Sequence, residues 1–228
     1  MKETQPALVV DHNKVSGKVE FIGSYNLHDD RFRVIENEAL DKEGMPLRVS
    51  FEIEISKREN KTFSQLPSLR VKDIEPLQDL HFNSQIDQTA CLCSSLEEEE
   101  FLTPTFQFRP FFEKLVMPFL YEQAFYAREH YWPWGEYAHG SAGLLESYAS
   151  GKNTFEIEAV LKKLELDKAA WPKIKATLLQ KADIKGHASC FCKKGDEAGN
   201  KIKRCHPDAL KGLLRLKRDI ENAKIQIQ

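Results

Sequence analysis

Apolar and polar side chains alternate with a period of two between residues 18 and 57. The clearest run is LRVSFEIEIS (47–56), where Val49, Phe51, Ile53 and Ile55 alternate with Ser50, Glu52 and Glu54. Such alternation puts the apolar side chains on one face of a strand and leaves the other face wet, as in an antiparallel meander. KVEFIGSYNL (18–27) carries Val19, Phe21 and Ile22 and breaks at HDDR, FRVIENEAL (32–40) follows, and DKEGMP (41–46) reads as a turn. SLRVKDI (68–74), between Pro67 and Pro76, is the next expected strand. After residue 105 the period lengthens. In FRPFFEKLVMPFLYEQAFYAREHYWPW (108–134), Phe111, Leu115, Phe119 and Leu120 fall near helical spacing. Pro110 suits a first helical turn, and Pro118 predicts a kink or break. This aromatic stripe is expected to pack against the sheet.

SAGLLESYASGKN (141–153) reads as a short helix running into a linker at Gly151. Asn153 with Glu156 has the spacing of a capping box, ahead of an apolar face made by Val160, Leu161 and Leu164. A second helix is expected from Trp171–Pro172, ending before Gly186. A last one opens at Pro207 with Leu210, Leu213, Leu214 and Ile220 on one side. The acidic run EEEE (97–100) reads as a solvated loop. The pattern predicts an α+β protein in three parts: a sheet domain over 1–150, a helical connector over 151–186, and a small module with a C-terminal helix over 187–228.

The chain has 228 residues, 41% of them hydrophobic and 30% charged, with a formal net charge of −2. That is enough chain for a sizeable core, and the charge gives no global field that recruits nucleic acid or an anionic membrane. Prolines and charges interrupt the longest apolar run, and the first residues lack the apolar stretch of a secretion signal, so a cytoplasmic protein is expected. In a reducing compartment five cysteines point to metal binding or catalysis rather than to a disulfide framework.

The cysteines fall into two groups. Cys190-Phe-Cys192, twelve intervening residues and Cys205-His206 supply four ligands of the kind that closes a tetrahedral structural zinc site. The loop between them is polar and glycine-containing and can wrap an ion without a core of its own. His187 is a spare ligand, expected to face solvent. Cys91 and Cys93 follow a polar stretch, HFNSQIDQTACLC (81–93). A Cys-Leu-Cys can be a strand end with small buried side chains, or Cys91 can be a nucleophile. On extended chain Cys93 points to the same side and can be a packing residue, a second nucleophile or a redox partner. His139, in AHG, can titrate near neutral pH and assist an incoming amine, or pack a turn beside Gly140.

A strand meander, then His81-Phe82-Asn83, then Cys91-Leu92 ten residues after the histidine resembles the ubiquitin-conjugating enzyme fold, with Phe82 where that family has proline. WPWGEYAHGSAGLLESY (132–148) resembles the segment after the active site in bacterial relatives encoded with antiphage cyclic-nucleotide synthases. The resemblance spans roughly residues 15–150. It implies that Cys91 carries a protein C-terminus as a thioester and passes it to an amine. Asn83 would donate to the oxyanion or stiffen the loop, and His81 would fix the backbone. It also implies a protein carrier or substrate such as the C-terminus of a cyclic-nucleotide synthase. No nucleotide-binding glycine loop is present, so any activation by ATP must come from a separate enzyme. The second cysteine group resembles the small zinc module at the end of the bacterial translocation motor ATPase, with a loop about four residues longer. A docking or stabilising role is expected for it, with no membrane partner and no nucleic acid. The rival readings are an inactive binding module of the same fold and a zinc-dependent nucleic-acid-associated protein.

Overall fold

The computed structural model describes residues 8–38, 41, 43–58, 64–73, 82, 88–102, 106–134, 138–150, 155–180, 184, 186–192 and 201–227. The chain divides into two compact units. One comprises Met1–Cys93 and Glu98–Glu136; the other comprises Ser94–Glu97 and Tyr137–Gln228.

The first unit is built on a five-stranded antiparallel sheet: β1 (Leu8–Asp11), β2 (Lys14–Asn26), β3 (Arg31–Ile35), β4 (Met45–Ser56) and β5 (Ser68–Val71). The order is β1-β2-β4-β5. β3 pairs with the far end of β2 along the edge that β1 occupies at the near end. β2 and β4 form the spine, and their register explains the alternation. Odd residues face each other on the buried side, as in Val19↔Phe51 and Phe21↔Val49; even residues do so outside, as in Lys18↔Glu52 and Ser16↔Glu54. The outer face carries ion pairs such as Lys14–Glu54 at 2.7 Å, which at such exposure contribute at most about 1 kcal/mol each. The expected strands are present. The strand at Leu8–Asp11 is an addition, joined to β2 through a two-residue turn in which His12 takes a φ of 40°. Leu8 is buried, but Val9 and Val10 are both exposed, so β1 shows no alternation to advertise it in the pattern.

The aromatic stripe covers the inner face as a single helical run. It comprises α2 (Phe108–Phe111), a π-helical turn (Phe112–Val116) and α3 (Met117–Glu129); a short turn, α1 (Glu98–Phe101), precedes it. The expected disturbance at Pro118 is this π turn. Pro118 has no N–H for the carbonyl four residues back and its ring crowds that carbonyl; a wider turn, with the Met117 N–H bonded to the Phe112 carbonyl, accommodates both. Phe111, Val116, Leu120, Tyr121 and Phe125 are buried against Val19, Val49 and Ile53. The Tyr121 hydroxyl donates to the Met45 carbonyl at 2.6 Å, and Trp134 stacks on the Tyr121 ring with centroids 5.8 Å apart. Tyr121 comes this close to β2 because residue 23 is glycine. A Cβ there would lie 2.6 Å from Tyr121 Cδ2 and 2.9 Å from Phe32 Cε2. Gly23→Ala is therefore expected to destabilise the first unit by about 1–3 kcal/mol in chemical denaturation, the usual cost of overpacking. An unchanged midpoint would show that these rings can yield.

The acidic run is not a solvated loop. Glu98–Phe101 is a helical turn, and buried Glu98 accepts from the Gln65 N–H at 3.3 Å. Just before it, Ser94 Oγ accepts from the Glu97 N–H at 3.3 Å and Glu97 Oε2 accepts from the Ser94 N–H at 2.8 Å, a reciprocal capping box.

The second unit is helical: α4 (Gly140–Ser150), α5 (Ile157–Leu166), α6 (Trp171–Leu179), α7 (Ile202–Cys205) and α8 (Pro207–Ala223). α6 and α8 begin where Trp171-Pro172 and Pro207 predict, with proline in the first turn. Asn153 lies outside the described residues; α5 starts at Ile157 with Glu156 as its N-cap, and no side-chain cap bond is formed there. The buried face of α8 is Ala209, Gly212, Leu213, Leu216 and Ile220, while Leu214, expected on that face, is 43% exposed. Ala209, Leu216 and Ile220 fall between Gly212 and Leu213 around the helix, and at about 100° per residue Leu214 lies beyond Leu213 on the other side. α4 lies against α8. The Tyr148 hydroxyl donates to Asp219 Oδ2 at 2.6 Å, Arg215 donates to the Tyr148 carbonyl at 2.9 Å, and its guanidinium stands 4.9 Å from the centroid of the Tyr148 ring. No described helix is long and apolar enough to cross a membrane.

Candidate functional site

The second cysteine group closes into one cluster. Residues 186–192 and 201–206 form two arms held by an antiparallel bridge between Ser189 and Lys201. The Ile202 N–H donates to the Ala188 carbonyl at 3.0 Å, and the Lys203 N–H to the Gly186 carbonyl at 3.2 Å. Ile202 and Phe191 anchor the arms in the helical core. The first arm carries Cys190 and Cys192. The second carries Cys205 as the last residue of α7 and His206 as the N-cap of α8. Pro207 starts α8 immediately after the ligand, so the helix fixes the histidine's backbone.

One ligand atom from each of Cys190, Cys192, Cys205 and His206 lies within 4.8 Å of the other three. Cys190 Sγ is 3.3 Å from His206 Nδ1, and Cys192 Sγ is 3.5 Å from Cys205 Sγ. A tetrahedral ion with metal–sulfur bonds of about 2.3 Å places its ligand atoms roughly 3.5–3.8 Å apart, so the four residues fit one ion with little adjustment. They can bind a metal, as expected from their spacing. Burial, added to by the neighbouring sulfurs, pushes the Cys190 thiol up. A cation at the centre reverses that balance, because it favours the thiolate that burial opposes. None of the five cysteines is in a disulfide.

His187 stays out of the cluster, as expected. It is exposed, with its Nε2 3.3 Å from Lys203 Nζ. A residue the sequence did not single out is Glu146 of α4. Its Oε2 accepts from the Ala138 N–H at 2.7 Å. Burial pushes its carboxyl above the usual range, while that bond and the His206 ring act in the opposite direction. Nothing in GLLES marks the position, because its burial is not expressed in the local pattern.

The first cysteine group lies at the end of the sheet unit. The Ala90 N–H donates to the Leu69 carbonyl of β5 at 2.8 Å, and Ala90 bridges to Phe82. The Phe82 ring packs edge-on against Phe119 of α3 with centroids 5.5 Å apart. Thr89 and Ala90 are buried. The next three residues, Cys91, Leu92 and Cys93, are half-buried, and Leu92 and Cys93 pack against the sheet core. Cys91 is thus held one residue beyond a backbone anchor, neither sealed in the core nor on a loose tail. His81 and Asn83 lie outside the described residues. His139 is exposed at the start of α4 and belongs to the helical unit, whereas Cys91 belongs to the sheet unit.

No protein-family model, curated protein or solved structure matches the chain. What carries the functional reading is therefore the two cysteine groups and the elements that hold them.

Proposed function

We propose that the protein is an acyl carrier of the ubiquitin-conjugating kind, with Cys91 as its nucleophile and a structural zinc ion in the helical unit. The observation that supports the first part most is the setting of Cys91: half-exposed, one residue past the Ala90–Leu69 bond, while Cys93 packs against the sheet core. A nucleophilic thiol has to be reachable and has to be held still; Cys91 follows a backbone anchor and, unlike Cys93, is not among the side chains packed against the sheet core. A five-stranded antiparallel sheet with a helical run across its inner face is compatible with this reading, although its order, β1-β2-β4-β5 with β3 beside β2, is not the simple meander that the resemblance implies.

The Cys91 thiolate attacks the carbonyl of an activated protein C-terminus presented by a separate activating enzyme. A carbon–sulfur bond forms and the activating group leaves with the electron pair. An amine then attacks the thioester, the carbon–sulfur bond breaks, thiolate departs and the nitrogen loses its proton. Asn83 stabilises the oxyanion or stiffens the loop, and His81 holds the backbone. A protein C-terminus such as that of a cyclic-nucleotide synthase is the proposed carrier or substrate, in antiphage defence.

Three thiolates and an imidazole suit zinc, and four protein ligands leave no open position for a reacting water, so the ion's role is structural. The test of the carrier reading is intact-mass analysis after co-expression with the neighbouring genes. Wild type is expected to show a thiol- and hydroxylamine-labile protein adduct, Cys91→Ala to lose it completely, and Cys93→Ala to keep it. Loss in Cys93→Ala with retention in Cys91→Ala would overturn the assignment.

A further inference from the structure

The four ligands of the metal cluster are not equivalent. Cys190 is fully buried, with its sulfur against His206 Nδ1. Cys192 and Cys205 are only half-buried, and their sulfurs are 3.5 Å apart. They sit on opposite arms: Cys192 ends the described part of the first, and Cys205 ends α7 on the second. A disulfide needs about 2.05 Å between sulfurs, so an approach of roughly 1.5 Å joins them. Histidine cannot form such a bond, and Cys190 is shielded from solvent oxidants.

We propose that Cys192 and Cys205 are a redox-modification site, a pair that a hydroperoxide converts to a disulfide with release of the metal. The proposal rests on the reading that the cluster holds a metal ion. One of the two thiolates attacks the peroxide, the oxygen–oxygen bond breaks, and that sulfur becomes a sulfenic acid with loss of hydroxide or alkoxide. The second thiolate attacks the sulfenic sulfur and expels hydroxide, closing the disulfide. Two electrons pass from the two sulfurs to the peroxide, and the metal ion leaves with its charge unchanged. Cys190 and His206 then remain, too few ligands for a closed tetrahedral site. The new bond spans the same two arms that the metal spanned, so the knuckle stays covalently closed and reduction restores the ligand set.

The experiment uses the full chain, as wild type and as the Cys91→Ser/Cys93→Ser variant, which keeps the other thiols out of exchange. Metal content is measured first, hydrogen peroxide is then titrated, and release is read with a chromogenic chelator while peptide mass mapping locates the disulfide. The expected result is one equivalent of metal released per Cys192–Cys205 disulfide. Cys190 should remain a reduced thiol, alkylated once the oxidised protein is denatured, and a dithiol with added zinc should reverse the change. A disulfide that includes Cys190, over-oxidation without a disulfide, or metal retained at peroxide doses that oxidise Cys91 would overturn the proposal. Untreated protein without metal would instead remove the metal reading itself, and the inference with it.

Discussion

Stripping the metal with a strong chelator is expected to loosen the knuckle and lower the stability of the helical unit by several kcal/mol, while the α4–α8 packing persists. Structural zinc contributes apparent binding energies of about 10–16 kcal/mol in small zinc-finger peptides, which have little else to hold them together. This unit has a core of its own around Leu145, Leu164 and Leu213, so metal loss should not unfold all of it. The local consequence is sharper. Cys190 is buried, and without a cation its thiol is held protonated among other sulfurs. The amides of Ile202 and Lys203, bonded across the knuckle to the Ala188 and Gly186 carbonyls, should pass from protected to fast hydrogen exchange. Cobalt substitution should give the intense visible bands of a tetrahedral, thiolate-rich site. Cys190→Ser should reproduce the chelated state. A purified chain with no stoichiometric metal, whose exchange pattern does not respond to chelation, would show that the four residues are clustered thiols and not a metal centre.

Gly212→Ala is expected to destabilise the helical unit by about 3 kcal/mol or more, at or beyond the upper end of ordinary overpacking. Its sign is the informative part. Alanine is a better helix former than glycine by about 1 kcal/mol, so α8 in isolation would gain from the change. Here, however, a Cβ on residue 212 would fall on the Leu145 carbonyl of α4. A backbone carbonyl cannot rotate aside as a side chain can, so the two helices would have to separate. That would disturb the Tyr148–Asp219 hydrogen bond and the seat of Arg215 on the Tyr148 ring. A thermal midpoint lowered by more than ten degrees is the expected reading, at about 4–8 °C per kcal/mol for a unit of this size. Stabilisation by the substitution would mean that α4 and α8 do not cross at this glycine.

Much of this architecture is legible in the chain alone. β4 was legible because its two faces meet different solvents: Phe51, Ile53 and Ile55 face the core while Ser50, Glu52 and Glu54 lie outside. Pro110, Pro118, Pro172 and Pro207 marked helix starts and one disturbed turn because proline acts on its own backbone, a local effect. β1 was not legible, since a strand whose Val9 and Val10 stay exposed lacks the contrast that alternation measures. The charges of Glu98–Phe101 point to a solvated loop and mask the helical turn, although Ser94 and Glu97 have the capping-box spacing that announces it.

The four clustered metal-binding candidates are legible for the same reason as the prolines. Three cysteines and a histidine within seventeen residues are near enough along the chain to share one ion, and the spacing expresses that chemistry directly. Folding decided which sulfur is sealed and which two lie within reach of each other and of solvent. It also buried the Glu146 carboxyl, and chose a glycine as the point where α4 and α8 meet. Local backbone preference, face-to-face contrast and ligand spacing are properties of neighbouring residues and can be read in one dimension. Burial, close approach and the mutual exposure of two thiols are properties of residues far apart in the chain, and they come into being only when the core forms.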